Sequence, residues 1–318
     1  MAGQGKHQAR RFKEFAGEWM AIREPELRRK TVESYRWQLE SHLLPQFGHL
    51  ELDALGPQEV DRYKAAKLRE GALGPNQINK TIGLLAAILD TAGDYGHIDP
   101  ARNPARGLRR RVRRTTPARP AIEPEQLPSL LEAARAHRPL LATMVGTGLR
   151  NGEACGLDWS DVDLTNGTIT VRAAKTPAGL RQVDMPSALR EELAEHRRRG
   201  GGSDGIAFPN RAGGRQSTSN TGRRFKTVAR RANRRLAELG LAPIDPAASP
   251  HSLRRLYASL RFALGDDPVY VAEQLGHTDP TFSMRVYAKA IRRRERLSGT
   301  ALYEFDKALA WAARRRHM

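Results

Sequence analysis

Apolar residues recur at spacings of three and four through the first hundred positions. Phe12, Phe15, Trp19 and Ile22 form one stripe; Val32, Tyr35, Leu39, Leu43 and Leu44 form a second, over residues 31–44. Each is the pattern of a helix with one buried face, and Pro45 and Gly48 are expected to end the second. Pro57 opens a third helix with Val60 and Tyr63, and residues 76–95 carry a longer one whose stripe is Ile78, Ile82, Leu85, Ile88 and Leu89. Four helices predict a small bundle.

From Ile122 the pattern changes. Residues 124–137 and 139–149 read as helices, and then the period shortens. Residues 161–164, 168–172 and 181–185 contain β-branched residues separated by Asn166-Gly167 and by Pro177-Ala178-Gly179, turn signals that predict a small antiparallel sheet. Helical patterns return at 188–198, 221–239, 250–264, 268–275 and 280–290. Ser249-Pro250, Asp267-Pro268 and Asp279-Pro280 each place a cap residue before a first-turn proline, and Gly276 is a stop signal. The expected fold is mainly α with a small antiparallel sheet, in two domains. A helical domain (1–105) is followed by a linker (106–121), a mixed α/β domain (122–290) and a helical tail (291–318).

Charge narrows the class of partner. The 318 residues carry 54 Lys and Arg against 35 Asp and Glu, a formal net charge of +19. The excess is clustered, which favours a polyanionic partner over a merely soluble surface. Residues 102–119 hold eight arginines and no acid, with Pro104, Pro117 and Pro120 close by. Arg109, Arg110, Arg111, Arg113 and Arg114 make this linker a candidate strap across DNA phosphates. A second stretch, 223–235, has seven Lys and Arg and no acid; on a helix Arg223, Arg230 and Arg234 share a face, with Lys226 beside them. The lone Cys155 excludes an intrachain disulfide and a multi-cysteine metal site. No apolar run approaches the roughly 20 residues that span a bilayer, and the basic N-terminus has no apolar core of a signal peptide. A cytoplasmic, nucleoid-associated protein with no membrane contact is expected.

Three clusters carry candidate chemistry: Thr147-Gly148-Leu149-Arg150-Asn151-Gly152-Glu153, Pro250-His251-Ser252-Leu253-Arg254-Arg255, and Leu275-Gly276-His277 followed by Tyr287. A phosphodiester concentrates negative charge on its oxygens during attack, and planar guanidinium groups clamp two oxygens at once. Arg150 and Arg254 are the candidates for that clamp. His251 and His277 can hydrogen-bond a phosphate or move a proton near neutral pH. Tyr287 is a candidate nucleophile, since cationic neighbours favour the phenolate. Lys175, at the turn between the second and third strands, could protonate a leaving oxygen. No metal constellation is visible, and the cations can offset the charge a metal would handle.

These motifs, with Ala174-Lys175-Thr176, occur in the order found in tyrosine recombinases of the phage integrase family, which the chain resembles from Phe12 to Ala290. The resemblance implies a helical core-binding (SAM-like) domain and a tyrosine recombinase catalytic domain that together form a C-shaped clamp around duplex DNA. It implies that Tyr287 attacks the scissile phosphate to form a 3′-phosphotyrosyl link, while Arg150, Arg254 and His277 hold the phosphate. His251 would be base or phosphate ligand, Lys175 the acid for the 5′ oxygen, and Glu153 a support for Arg150. The covalent link conserves the bond energy, so no cofactor is implied. The resemblance also implies major-groove or phosphate contact by the 223–235 stretch and a homo-tetramer in the synaptic complex. An excisionase or DNA-bending accessory protein is a further candidate partner.

The resemblance leaves some points open. Many members carry an arm-binding domain before the helical one; here the first predicted helix begins near Phe12. Leu256-Tyr257 replaces the more usual small polar and aromatic pair, a change expected to affect packing. In the tail, Leu302, Phe305, Leu309 and Ala312 share a helical face that either docks into a neighbouring protomer or folds back on its own domain. A relaxase related to type IB topoisomerases and a catalytically silent DNA-binding regulator are the competing functions.

Overall fold

The computed structural model describes residues 10–107, 110–113, 121–172, 180–201, 205–276 and 293–313. The chain divides into two compact units, residues 1–117 and 118–318.

The first unit is helical: α1 (Phe12–Arg23), α2 (Arg29–Gln38), α3 (Leu44–Phe47), α4 (Pro57–Glu70) and α5 (Pro75–Asp94). Its core is built on α5, where Ile78, Ile82, Leu85, Ile88 and Leu89 are buried against Leu43, Phe47 and Tyr63. On α1 the inward face is Phe12, Phe15, Ala16, Trp19 and Met20, and Ile22 is 50% exposed, contrary to its assigned place in the stripe. At 3.6 residues per turn, Ile22 lies roughly 80° round the helix from Phe12, on the rim. Pro45 does not end its helix either. A π turn over Leu39–Leu43 leads straight into α3. A proline can neither donate to nor pack against the carbonyl four residues back, and a wider turn accommodates it.

Side-chain amides then fix the chain beyond α5. Asn103 donates to the Ala86 carbonyl. Asn79 exchanges two hydrogen bonds with the backbone of Val112, at 2.7 and 2.9 Å, imitating one rung of a strand ladder.

The second unit contains α6 (Leu127–Ala134), α7 (Arg138–Thr147), α8 (Asn151–Cys155), α9 (Ser187–Arg198), α10 (Thr218–Glu238), α11 (Pro250–Ala263), α12 (Pro268–Leu275) and α13 (Gly299–Ala312). Three strands, β1 (Val162–Asp163), β2 (Thr168–Val171) and β3 (Arg181–Asp184), form an antiparallel sheet in that order. Asn166-Gly167 turns the first hairpin, with Gly167 at φ 71°. Ile169 and Val183 face each other across the ladder and are fully buried.

Helices α7 and α11 pack together at the centre of this unit. From Leu140 to Thr147 every residue of α7 is buried, as are Leu253, Leu256, Tyr257, Ala258 and Leu260 on α11. Leu256-Tyr257, the departure from the family pattern, is thus part of the core. Helix α10 starts at Thr218, three residues before the expected start; its first turn, Thr218-Ser219-Asn220, is polar and carries no periodic signal. Helix α13 lies on its own unit, with Phe305, Ala308 and Ala312 buried. The Ala312 carbonyl accepts from Arg261 Nη1 at 3.0 Å, and Trp311 Nε1 donates to Glu192 at 2.9 Å. The fold-back arrangement is therefore the one seen in the single chain.

Candidate active site

The segment from Thr147 to Glu153 is a helix stop followed by a helix start. Thr147 Oγ1 donates back to the Thr143 carbonyl at 2.6 Å. Gly148 then takes φ 66°, ψ 16°, the left-handed conformation that closes α7. A side chain is also excluded there by contact: a Cβ on Gly148 would lie 2.7 Å from both Leu275 Cδ2 and Tyr257 Cδ1. Leu149 is buried, and Arg150 is the extended residue that begins α8. Glu153, three residues on, accepts from the Arg150 backbone N–H at 2.8 Å and from Arg150 Nη1 at 2.7 Å. This is the carboxylate half of a capping box, with the same acid holding the side chain it caps.

Arg254 lies one turn into α11 and is 3% exposed. Its Nη1 donates to the Gly148 carbonyl at 2.7 Å and its Nη2 to the Leu275 carbonyl. Arg150 Nη2 donates to the next carbonyl, that of Gly276, at 3.1 Å. A third guanidinium, Arg181, enters from the start of β3. Its Nε donates to the Gln274 carbonyl at 2.7 Å, and its Nη1 and Nη2 reach the two oxygens of Glu153 at 3.3 and 3.0 Å. Three successive carbonyls at the end of α12 thus accept from three different arginines. A helix C-terminus has such carbonyls to spare and carries partial negative charge.

The electrostatics follow from this packing. Burial alone would raise the Glu153 carboxyl, but hydrogen bonds from Arg181 and from the backbone and side chain of Arg150 outweigh it and hold the group below its ordinary value. Burial, then repulsion from Arg150 and Arg181, pushes Arg254 down to about 9. It remains a cation at neutral pH. Among the described residues the cluster holds three guanidiniums and one carboxylate, which bonds Arg150 and Arg181, so an anion is the ligand that suits the site. The Arg150 side chain is 41% exposed, whereas those of Glu153 and Arg181 are 8% and 7%. Arg150 is the member of the cluster open to solvent.

Arg150, Glu153 and Arg254 are therefore brought together. His251 is exposed in the first turn of α11, while Arg254 three residues later turns inward. Lys175, His277 and Tyr287 lie outside the described residues, although His277 directly follows Gly276 in sequence. Arg181 escaped the sequence reading. Its signal was an arginine at position i−2 from Val183, on the face of a strand that turns into the core.

Among the basic residues, Arg223, Lys226, Arg230 and Arg234 are all exposed on α10 and fall within an arc of roughly 80°. None of the four forms an ion pair with a carboxylate among the described residues. The apolar face of the same helix, Phe225, Val228, Ala232 and Leu236, is buried. Arg111 and Arg113 flank the pinned Val112 and line a cleft of about 560 Å³ with Asn76 and Lys80. Arg110 differs from a free strap residue, because its guanidinium is paired with Asp61. Arg109 and Arg114 lie outside the described residues. Among the described residues no group of three or more His, Cys, Asp or Glu could hold a metal, and no helix is long and apolar enough to cross a membrane.

Known proteins resemble this chain in sequence and in fold. The model of the phage integrase family matches residues 120–293, and that of the phage integrase N-terminal SAM-like domain matches 11–67. Tyrosine recombinase XerC of Xylella fastidiosa (strain 9a5c) is 33% identical over 242 residues, 73% of this chain and 76% of that protein. Among solved structures, the Tn1549 transposon integrase bound to transposon right end DNA superposes with a TM-score of 0.74 at 19% identity, over 91% of this chain and 100% of that one. A lambda integrase tetramer bound to a Holliday junction gives 0.70 at 19% identity, over 87% and 80%. Fold and sequence together define an enzyme that breaks and rejoins DNA strands in site-specific recombination. The chain belongs to the phage integrase family of tyrosine recombinases.

Two outcomes test the site's construction. Gly148→Ala should destabilise the catalytic unit by on the order of 3 kcal/mol, through left-handed strain and the two close contacts; a urea midpoint shift worth less than about 1 kcal/mol would contradict this geometry. The second concerns Glu153, whose folded-state value is lowered. The stability it contributes is fully present above about pH 4.5, its ordinary value, and is lost as the pH falls through the lowered one. The stability gap between wild type and Glu153→Gln should be widest near neutrality and close in acid. A gap independent of pH would show that the charge is not what matters.

Proposed function

We propose that the cluster of Arg150, Arg254 and Glu153 holds the scissile phosphate of a duplex DNA site, and that Tyr287 is the nucleophile. The carrying observation is three guanidiniums assembled on three successive carbonyls, two of them joined by Glu153, with Arg150 open to solvent. In the proposed step the Tyr287 oxygen attacks phosphorus and the bond to the 5′ oxygen breaks. The 3′ phosphate is left on the tyrosine, and Lys175 gives the departing oxygen its proton. His251, as base, takes the proton that Tyr287 gives up, and His277 completes the phosphate site. A 5′ hydroxyl from the partner strand reverses the step, so no external energy source is required. Developing charge on the phosphate oxygens meets fixed cations that need no rearrangement, the condition for electrostatic stabilisation of a transition state.

We assign the α10 stripe of Arg223, Lys226, Arg230 and Arg234 to DNA contact, mainly with phosphates. The absence of carboxylate partners for these exposed cations supports this reading. Linker arginines 109, 110, 111, 113 and 114 are proposed as a second contact, with Arg110 exchanging Asp61 for a phosphate. The catalytic unit is taken to begin near residue 122 and the tail near 291. The working assembly is proposed to be a homo-tetramer on two DNA sites, in which α13 could leave its own unit for a neighbouring protomer. The lambda integrase tetramer on a Holliday junction shares the fold, which makes that assembly the natural one to test. A phage or other mobile element as the DNA served, the cytoplasm as the compartment, and an excisionase or DNA-bending protein as accessory belong to the same proposal.

Trapping tests the chemistry. Incubated with randomly nicked host genomic DNA and quenched with detergent, the wild-type protein should leave adducts at one inverted-repeat site. Tyr287→Phe should leave none while binding DNA as tightly; dispersed adducts would favour a relaxase instead. A second measurement tests the α10 stripe. Each phosphate contact contributes about 0.9 to the slope of log K against log salt, so replacing Arg230 and Arg234 with glutamine should flatten it by about 2. An unchanged slope would remove this helix from the interface.

A further inference from the structure

We infer that Arg181 is a positioning residue for strand cleavage, acting through Glu153 on Arg150. The inference rests on the reading of Arg150 as a phosphate ligand.

Arg150 has a geometric problem that its own helix does not solve. Its side chain is 41% exposed and reaches Glu153 only three residues away. An i,i+3 pair on a surface holds a long side chain weakly, because both partners keep rotamer freedom. Beyond its bond to the Gly276 carbonyl, the Arg150 fork is held only as firmly as Glu153 is; the capping N–H of Arg150 fixes one carboxylate oxygen, and Arg181 fixes both. Both nitrogens of the Arg181 fork point at the carboxylate, at 3.3 and 3.0 Å, and both side chains are more than nine-tenths buried. The planar fork fixes the carboxylate plane as well as its position.

Arg181 also ties that carboxylate to the helix end on which the site is built. Its Nε donates to the Gln274 carbonyl. The Gln274 side chain in turn accepts from the Asp184 backbone N–H at 2.8 Å, and Tyr270 donates its hydroxyl to Asp184 at 2.6 Å. Strand β3 and α12 are therefore locked by three bonds, two at the last turn of the helix and one at its first, with Arg181 at the Gln274 end. The Arg181 side chain is 7% exposed, so it has almost no surface to offer a substrate. It shapes the site without touching the substrate.

The test is a double-mutant cycle on single-turnover cleavage of a suicide DNA substrate by the full chain, with DNA affinity measured in parallel. Arg181→Gln should slow covalent cleavage by about 10- to 100-fold, the cost of a small misplacement of a reacting group, while the Kd for DNA changes less than about threefold. Glu153→Gln should slow it comparably. The pair together should be no slower than the worse single variant, because both act through one contact. Arg181→Lys keeps the charge without the fork, and should recover folding but only part of the rate. Losses that multiply in the double variant, or Kd and rate falling together, would overturn the inference and leave Arg181 a general support. Wild-type cleavage by Arg181→Gln while Arg150→Ala is inactive would overturn it alone. Full cleavage by Arg150→Ala would overturn the reading of the site beneath it.

Discussion

The carbonyls at the end of α12 are the fixed point of the catalytic unit. Gln274, Leu275 and Gly276 offer them in succession, and Arg181, Arg254 and Arg150 each take one. The three arginines come from a strand, a central helix and a helix start that are distant in sequence. A helix end with unused acceptors is one of the few places where a folded chain can gather like charges, because each guanidinium meets a dipole of the right sign. Among the described residues Glu153 is the carboxylate that bonds this cluster. Burial, and then repulsion from Arg150 and Arg181, pushes Arg254 down to about 9. The phosphate proposed to bind at Arg150 would ease that repulsion.

Everything around the cluster keeps that helix end in place. Gly148 lets the α7 terminus approach within contact of Leu275 and Tyr257, and its carbonyl becomes the second acceptor for Arg254. Tyr257 and Leu256 fill the core beneath. Asp267 caps the start of α12 by accepting from Val269 and Tyr270, and Gly276 closes it in a left-handed turn. Losing any one of these would displace a carbonyl, and with it an arginine. The arginines of the cluster thus meet backbone carbonyls set by the fold, and the Glu153 side chain joins two of them, Arg150 and Arg181.

Much of this was legible because it obeys local rules. The cap-and-proline start and glycine stop of α12 appear where the sequence places them, and Asn166-Gly167 marks the first hairpin. The link between Arg150 and Glu153 follows from their spacing on a helix start. What was not legible depends on long-range contact. Ile22 fits the stripe by spacing and misses it by rotation. Pro45 is absorbed by a π turn that no spacing rule announces. Arg110 finds Asp61, and Asn79 finds Val112, across dozens of residues. Arg181 is the instructive case. A charged residue on the inward face of a strand breaks the alternation rule, and such a break is where function should be sought.

The central claim is that this cationic cluster serves one tyrosine and one phosphate. The most direct measurement is the identity of the covalent bond. The denatured protein–DNA adduct would be digested with protease and nuclease, and the remaining nucleotide-bearing peptide sequenced by tandem mass spectrometry. The account predicts a nucleotide joined through its 3′ phosphate to Tyr287. A bond to any other residue, or through a 5′ phosphate, would contradict it.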